Sequence, residues 1–227
     1  MADACTILAF ETATPSGGAA LLVDGRVVGE FRIQGSQSHS ALCLGFAETL
    51  LRQMRIEWNQ VTAFAASHGP GAFTGVRVGL TLVKGLSFST GRPVVTVNTL
   101  DAMALAGWSG ESVDLVAPVQ DARMGEIYTA LFRPEGGRLV RASEDLVLAP
   151  AALVEKVGDR RTLLCGEGER SYAAAFPDSQ FPRARADRRL ATAASVALLA
   201  AEAYQRGETK TAAQVEAIYL REAIQPR

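Results

Sequence analysis

Residues that could carry metal or redox chemistry are few and widely spaced in this sequence. His39 is followed one helical turn later by Cys43, and His68 stands alone before a glycine-rich segment. Cys5, Cys43 and Cys165 are odd in number and far apart, which is typical of reduced thiols rather than of a disulfide framework or a zinc site. A lone histidine at a helix start is more often a capping or surface residue than a ligand. The sequence therefore predicts no metal site.

The most distinctive segment is residues 68–80, HGPGAFTGVRVGL. Glycines between a strand and a helix expose backbone N–H groups that can hold an anion. The segment is not a Walker P-loop, because the Gly-Lys-Ser/Thr ending is missing and Lys84 lies well inside the following helix. Two interpretations remain, of which we favour the first: a tight turn with Thr74 as helix N-cap, or a phosphate cradle that uses Gly69 and Gly71.

Two predicted helices carry more apolar surface than one sheet face can cover. The first places Leu42, Phe46 and Leu50 at helical spacing, and the second runs from about residue 75 to residue 89 with few polar positions. Either both helices are buried within their lobe or their outer faces meet another protein, and periodicity alone leaves both readings open. If the outer faces meet another protein, the predicted contacts are Leu42, Phe46, Leu50, Phe73, Arg77, Leu80, Thr81 and Lys84.

The order of predicted elements indicates an α/β protein with two lobes around a cleft. Strands at 6–10, 19–23 and after Asp24-Gly25 precede a helix from about residue 38, a strand at 61–67, the second helix and a strand at 94–97. This βββαβαβ order is that of an RNase H-like lobe. A similar series follows, with strands at 115–119, 127–132, 139–147 and 162–165 and helices at 151–157 and 190–204. We therefore expect lobes at 1–100 and 101–227, with the last helix free to pack back on the first.

Composition narrows the class of protein. The chain has 227 residues, 48% of them hydrophobic, and a net charge of −1. No apolar run reaches the roughly 18 residues that cross a bilayer, and no signal peptide is recognisable, so we expect a soluble cytoplasmic protein. Near-neutral charge gives no general attraction to phosphate backbones, so any RNA would be held mainly by a partner. The arginines near residues 160 and 183–189 alternate with aspartates, which favours a solvated loop.

Five segments, in order along nearly the whole chain, resemble the TsaB family. They are residues 7–14 (ILAFETAT), 69–79 (GPGAFTGVRVG), 99–100 (TL), 121–128 (DARMGEIY) and 218–221 (IYLR). The second and fourth are far more specific than any short glycine pattern. One departure is Glu11, where the family often has aspartate.

The resemblance implies a fold of the actin, sugar kinase and Hsp70 type with a degenerate nucleotide cleft. It also implies a scaffold without catalytic residues or cofactor, which pairs with a TsaD-like transferase for N6-threonylcarbamoylation of the tRNA adenosine beside the anticodon. A TsaE-like ATPase joins that pair, tRNA is met only through the complex, and the chain alone is expected to form a homodimer through the same helices.

In such a fold the turn after the first strand of each lobe grips nucleotide phosphates. Here Arg123 and Met124 fill the second-lobe turn, so we expect at most a vestigial nucleotide or anion loop at Glu11, Thr12, Gly69, Gly71 and Arg123. The alternatives are a small ATP-dependent kinase or ATPase of the same fold and a self-associating structural protein unrelated to tRNA.

Overall fold

A computed structural model describes residues 5–35 and 40–220, which divide into two units. Of the described residues, the first unit runs through Ala102 and returns as Thr192–Ile218, and the second comprises Met103–Ala191 with Tyr219 and Leu220. His39, weighed above as a metal ligand, and Arg221 of the last family-like segment lie outside the described residues.

The first unit is built on a five-stranded sheet of order β3-β2-β1-β4-β5. The first three strands are antiparallel, whereas β4 and β5 run parallel to β1. Every residue of β1 is buried, while β3 at the sheet edge alternates between exposed and partly covered positions. The strands are β1 (Thr6–Glu11), β2 (Ser16–Val23), β3 (Arg26–Gln34), β4 (Ala63–Ser67) and β5 (Val94–Val97).

Helices α1 (Ser40–Met54) and α2 (Phe73–Thr90) pack side by side, and their buried faces join one core with the first-unit sheet. The predicted βββαβαβ order is therefore present. The next helix, α3 (Thr99–Gly107), was not predicted. Its N-cap is Asn98, whose side-chain oxygen accepts the Leu100 N–H at 2.8 Å. Such a cap favours the start of a helix, here close to the predicted end of the first lobe.

The second unit has a six-stranded sheet of order β10-β7-β6-β8-β9, with β11 parallel to β6. Two predicted strands were wrong, because 127–132 and 139–147 are each divided in two. Ser143 lies in the second break, where its hydroxyl accepts the N–H of Leu131, a residue of the first break, at 2.9 Å. The elements are β6 (Leu115–Arg123), β7 (Glu126–Thr129), β8 (Phe132–Glu135), β9 (Arg138–Arg141), β10 (Leu146–Leu148), α4 (Pro150–Val157), β11 (Thr162–Cys165) and α5 (Gly168–Ser171).

The last long helix, α6 (Ala193–Gln205), returns to the first unit and packs on β1 and β2. Its N-terminus is capped by the Thr192 hydroxyl and by Glu30 of β3, whose carboxylate accepts the Ala194 N–H at 2.8 Å. The chain then follows the edge of β5 through Lys210, buries Val215 in the core and ends the unit at Ile218. The boundary thus differs from 101–227, since Thr192–Ile218 completes the first unit.

None of the helices within 5–35 and 40–220 is long and apolar enough to cross a bilayer.

Candidate functional site

The glycine-rich segment leads into α2 without a side-chain cap. Helix α2 begins at Phe73 with Ala72 as its N-cap, and no side chain of the described residues caps it. The expectation that Thr74 is the N-cap was wrong, because the Ala72 carbonyl already accepts the Val76 N–H at 2.9 Å. The Ala72 N–H donates in turn to the Ala13 carbonyl at 2.9 Å, so the start of the helix is tied to the β1–β2 turn.

The glycines of this segment are covered by the chain's own backbone. A Cβ on Gly71 would lie 2.6 Å from the Ala13 carbonyl oxygen, and one on Gly75 would lie closer still to the carbonyl oxygen of Thr12. The Thr12 hydroxyl donates to the Gly75 carbonyl at 2.7 Å. The surface that could have been a phosphate cradle is thus occupied by residues 12–13, because glycine allows that close approach.

Gly69 meets a different part of the chain. Its φ of +111° favours glycine, and a Cβ there would lie 2.6 Å from the carbonyl oxygen of Ile218. The Ile218 N–H also donates to the His68 carbonyl at 2.8 Å. Glycine at position 69 therefore lets the chain around Ile218 pack closely, and the atoms nearest to its Cβ position belong to Ile218 rather than to the β1–β2 turn.

Glu11 ends β1 with a fully buried side chain. One carboxyl oxygen accepts the backbone N–H groups of Ala13 at 2.7 Å and Thr14 at 3.0 Å, and the other bonds to the Ser67 hydroxyl. Burial raises the pKa of the Glu11 carboxyl, and the hydrogen bonds from Ser67, Ala13 and Thr14 oppose that rise only in part. The N–H groups of this turn are consequently taken up by the chain's own carboxyl.

Arg123 belongs to the second unit and lies at the β6–β7 hairpin, where it and Met124 have positive φ angles of 64° and 56°. Its side chain is 87% exposed, and its guanidinium is 3.6 Å from the carboxylate of Asp121. That carboxylate also accepts the Arg123 N–H at 2.8 Å and the Tyr172 hydroxyl at 2.9 Å. Of the predicted anion loop, then, only Glu11, Thr12 and Gly71 share one cluster of contacts, that of the β1–β2 turn.

The outer side of α2 is a mixed apolar and cationic surface. Phe73 is 50% exposed, and Phe88 at the other end of the helix is 88% exposed. Between them, Arg77 and Thr81 are exposed at intervals of four residues. The Arg77 guanidinium stacks over the Phe73 ring at 3.7 Å from its centroid, a cation–π contact. An open groove of about 530 Å³ follows this side, lined by Phe73, Thr74, Arg77, Val78, Thr81 and Leu82.

Helix α1 also exposes apolar side chains. Leu42 is 42% exposed and Leu44 is 36% exposed. Phe46 is half-buried because its ring stacks on Phe31 of β3 with centroids 5.2 Å apart, and Phe31 itself is 37% exposed. The exposed parts of α1, α2 and Phe31 are called the α1/α2 face below.

Two predicted contacts need correction. Leu50 and Leu80 are 4% and 5% exposed and belong to the core. Leu50 lies over Gly29, where a Cβ would be 2.7 Å from the leucine methyl, and Leu80 continues the buried row of α2. Lys84 is partly covered, and its ammonium donates to the Val215 carbonyl at 3.2 Å. The predicted contacts that are exposed are Leu42, Phe73, Arg77 and Thr81.

Among the residues that the structure describes, no group of three or more His, Cys, Asp or Glu side chains is placed to hold a metal ion.

Comparison with known proteins identifies the family. The family model described as TsaD, tRNA N6-adenosine threonylcarbamoyltransferase, matches residues 33–224. The tRNA threonylcarbamoyladenosine biosynthesis protein TsaB of Escherichia coli is 30% identical, covering 96% of this chain and 95% of that protein. The chain belongs to the TsaB family. YeaZ from Pseudomonas aeruginosa has a TM-score of 0.84 at 30% identity, covering 95% of this chain and all of the other.

The fold of this TsaB-family chain extends to more distant proteins. A ROK hexokinase from Thermus thermophilus has a TM-score of 0.51 at 16% identity over 89% of this chain. The likeness to a sugar kinase confirms the expected actin, sugar kinase and Hsp70 type of fold.

Sequence reasoning missed several exposed members of the α1/α2 face. Leu44, Phe31 and Phe88 were outside the predicted contacts of this TsaB-family chain, although Phe88 is its most exposed large apolar residue within the described ranges. Helical spacing could have indicated Phe88, since it lies on the same side of α2 as Phe73, Arg77 and Thr81. For Phe31 no sequence signal existed, because its place beside α1 depends on the pairing of β2 with β3.

Proposed function

We propose that this chain is a non-catalytic scaffold subunit in the biosynthesis of tRNA threonylcarbamoyladenosine, and that it acts by pairing with a TsaD-like transferase. The transferase would modify N6 of the tRNA adenosine adjacent to the anticodon. A TsaE-like ATPase would join the pair, and tRNA would be met only through the complex in the cytoplasm. The name of the full-length E. coli relative supports the pathway, and the observation that carries the pairing is the exposed α1/α2 face.

The chemistry of the α1/α2 face suits a protein partner. Stable interfaces combine a core of aromatic and aliphatic side chains with arginine, and isolated monomers seldom leave such residues clustered in water. Phe73 and Leu42 would supply the apolar anchors, and Arg77 would supply a cation already stacked on an aromatic ring. The groove along α2 offers room for side chains of the partner between these anchors.

The same face would serve two copies of the chain when no transferase is present. An apolar face that a partner covers in the complex remains unfavourable in water, and a twofold homodimer covers it on both copies at once. Transferase and second copy would then compete, so the homodimer would dissociate as the transferase is added.

The closed β1–β2 turn supports a scaffold without nucleotide chemistry. Its N–H groups are bonded to Glu11, and the glycines of the following segment lie against Thr12 and Ala13. A phosphate group approaching this turn would have to displace a buried carboxyl and a packed backbone.

The alternative is a small ATP-dependent kinase or ATPase of the same fold. The two hypotheses differ in what the isolated chain does with ATP and Mg²⁺. The scaffold hypothesis expects no turnover until partners are added. Steady-state turnover by the purified chain that is lost in a Glu11→Ala variant would favour the enzyme and contradict the scaffold.

The experiment that tests the proposed function is depletion of the chain in its own host. The fraction of tRNA that carries threonylcarbamoyladenosine is measured by mass spectrometry of digested tRNA, before depletion and after re-expression. We expect the nucleoside to fall on depletion and to recover with the wild-type chain. An unchanged level would remove the protein from the pathway and leave a structural, self-associating role.

A further inference from the structure

The carboxyl group of Glu11 is held as a bound ligand would be. Two consecutive backbone N–H groups, from Ala13 and Thr14, point at one oxygen at 2.7 and 3.0 Å, and the Ser67 hydroxyl bonds to the other. Consecutive backbone N–H groups that converge on one oxygen are a common way for proteins to bind carboxylates and other oxyanions. The donors come from the β1–β2 turn and from the end of β4, two separate segments of the first unit.

These donors are fixed by the fold rather than by Glu11 itself. Ser67 is paired with Val97 in the parallel ladder between β4 and β5. The turn is held by the Ala72 N–H, which donates to the Ala13 carbonyl, and by the Thr12 hydroxyl, which bonds to the Gly75 carbonyl. Removal of the Glu11 side chain would therefore leave its binding groups in place around an empty volume.

The electrostatics of the pocket point to a carboxyl group in particular. Burial dominates the raised pKa of Glu11, and within residues 5–35 and 40–220 no cationic side chain contributes to it. A multiply charged phosphate would be strongly penalised in a buried site without a cation. The Ser67 hydroxyl can donate to a carboxylate or accept from a carboxylic acid, so the pocket suits a group that carries one charge or none.

We propose that the Ala13 and Thr14 N–H groups and the Ser67 hydroxyl form a buried carboxyl-binding site that is occupied by Glu11. Without that side chain the site would take a small monocarboxylic acid. Acetic acid is the matching probe, because a Glu11→Ala substitution removes the two-carbon fragment –CH₂–COOH beyond Cβ.

The test is chemical rescue of stability in the isolated chain. The melting temperature of Glu11→Ala is measured in acetate and in chloride at equal ionic strength and pH, and the same difference is measured for the wild type. We expect Glu11→Ala to melt below the wild type and to regain about 2–4 °C in saturating acetate beyond any gain of the wild type. The gain should saturate with acetate concentration, as binding to one site requires.

Two control variants separate the site from general effects of acetate. Glu11→Gln fills the pocket with an amide of similar shape, so acetate should give it no extra gain. Glu111→Ala removes an exposed carboxylate that also accepts a backbone N–H and a hydroxyl, both from Ser109 at 2.7 Å. Because that site is open to water, it should show no rescue either.

The pH dependence gives a second readout. Since the pocket raises the pKa of the carboxyl it holds, it prefers the protonated acid relative to water, and half-saturation should need less total acetate at about pH 5.5 than at about pH 7.5.

If Glu11→Ala does not fold in chloride, the comparison becomes the recovery of folded protein on refolding in acetate against chloride. Equal recovery or equal melting gains for Glu11→Ala and the wild type would overturn the proposal, and so would rescue of Glu11→Gln. No partner protein is used, so this failure would leave the proposed scaffold function standing.

Discussion

At the scale of single residues, Glu11 is the least expected feature of the protein. A glutamate without an opposite charge is seldom fully buried, yet this one is covered completely at the end of β1. Burial raises its pKa from the ordinary value of 4.5. The folded state therefore binds the Glu11 proton more tightly than the unfolded state does, and deprotonation costs folding free energy.

A Glu11→Gln substitution should change how stability depends on pH. For a carboxyl with a raised pKa, its full contribution is present below the unfolded value and falls as the pH rises through the folded value. The wild type should thus lose stability relative to Glu11→Gln above about pH 4.5, by at most about 1.4 kcal/mol per pH unit. Urea denaturation of both proteins across that range measures the difference. Parallel stability curves would contradict the inferred pKa shift.

Residue-level prediction succeeded where a side chain's position depends on one helix alone. Arg77 and Thr81 follow from the spacing of α2, and both are exposed. The prediction that Leu50 contacts a partner was wrong, because its side chain packs on Gly29 of β3. That contact depends on how α1 lies over the sheet. Helical spacing shows which side of a helix is apolar but does not show how much of that side the sheet covers.

At the scale of secondary-structure elements, the close approach of α2 to the β1–β2 turn fixes the first unit. Gly75 has a structural reason to be glycine, since a Cβ there would meet the Thr12 carbonyl oxygen. For Gly85 on the same helix, no other segment of the described chain comes within 4 Å of the Cβ position. The two glycines therefore make a matched pair on one helix.

The prediction at this scale is that Gly75→Ala and Gly85→Ala have opposite effects. Gly75→Ala should destabilise the protein by about 2–3 kcal/mol, because the helix must move away from the turn. Gly85→Ala should stabilise it by about 0.5–1 kcal/mol, because alanine restricts the unfolded chain and favours helix. Denaturant unfolding of both variants checks the signs, and a neutral Gly75→Ala would mean that the turn is loosely packed.

Elements were predictable where the local signal was strong. The strand at 162–165 was placed correctly as β11, because a short buried run stands between polar residues. Helix α3 was missed since its cap is a single Asn98 after a strand. The break between β9 and β10 was missed since Ser143, which lies in it, bonds to Leu131, 12 positions earlier in the chain, and a local pattern does not show such a contact.

At the scale of the whole molecule, the first unit is completed by the end of the described chain. Val215 is buried in its core and Ile218 bonds to His68. No sequence pattern placed this segment, because its contacts join residues more than a hundred positions apart. One consequence is that the Lys84 ammonium is engaged with Val215, which leaves Phe73 and Arg77 as the accessible anchors of α2.

The most direct measurement is the affinity of a TsaD-like transferase for Phe73→Glu. Phe73 is the first residue of α2, where an acidic side chain interacts favourably with the helix dipole. The variant should therefore fold, and its circular dichroism spectrum should be unchanged. A buried charge at an interface anchor should cost about 2 kcal/mol or more, roughly 30-fold in Kd. The control is Leu198→Glu on α6, which places the same acidic side chain at another exposed apolar position.

Titration calorimetry with the transferase would compare its affinity for the wild type, Phe73→Glu and Leu198→Glu. The scaffold account predicts wild-type affinity for Leu198→Glu and at least roughly 30-fold weaker binding for a folded Phe73→Glu. Equal affinity of the wild type and folded Phe73→Glu would contradict it.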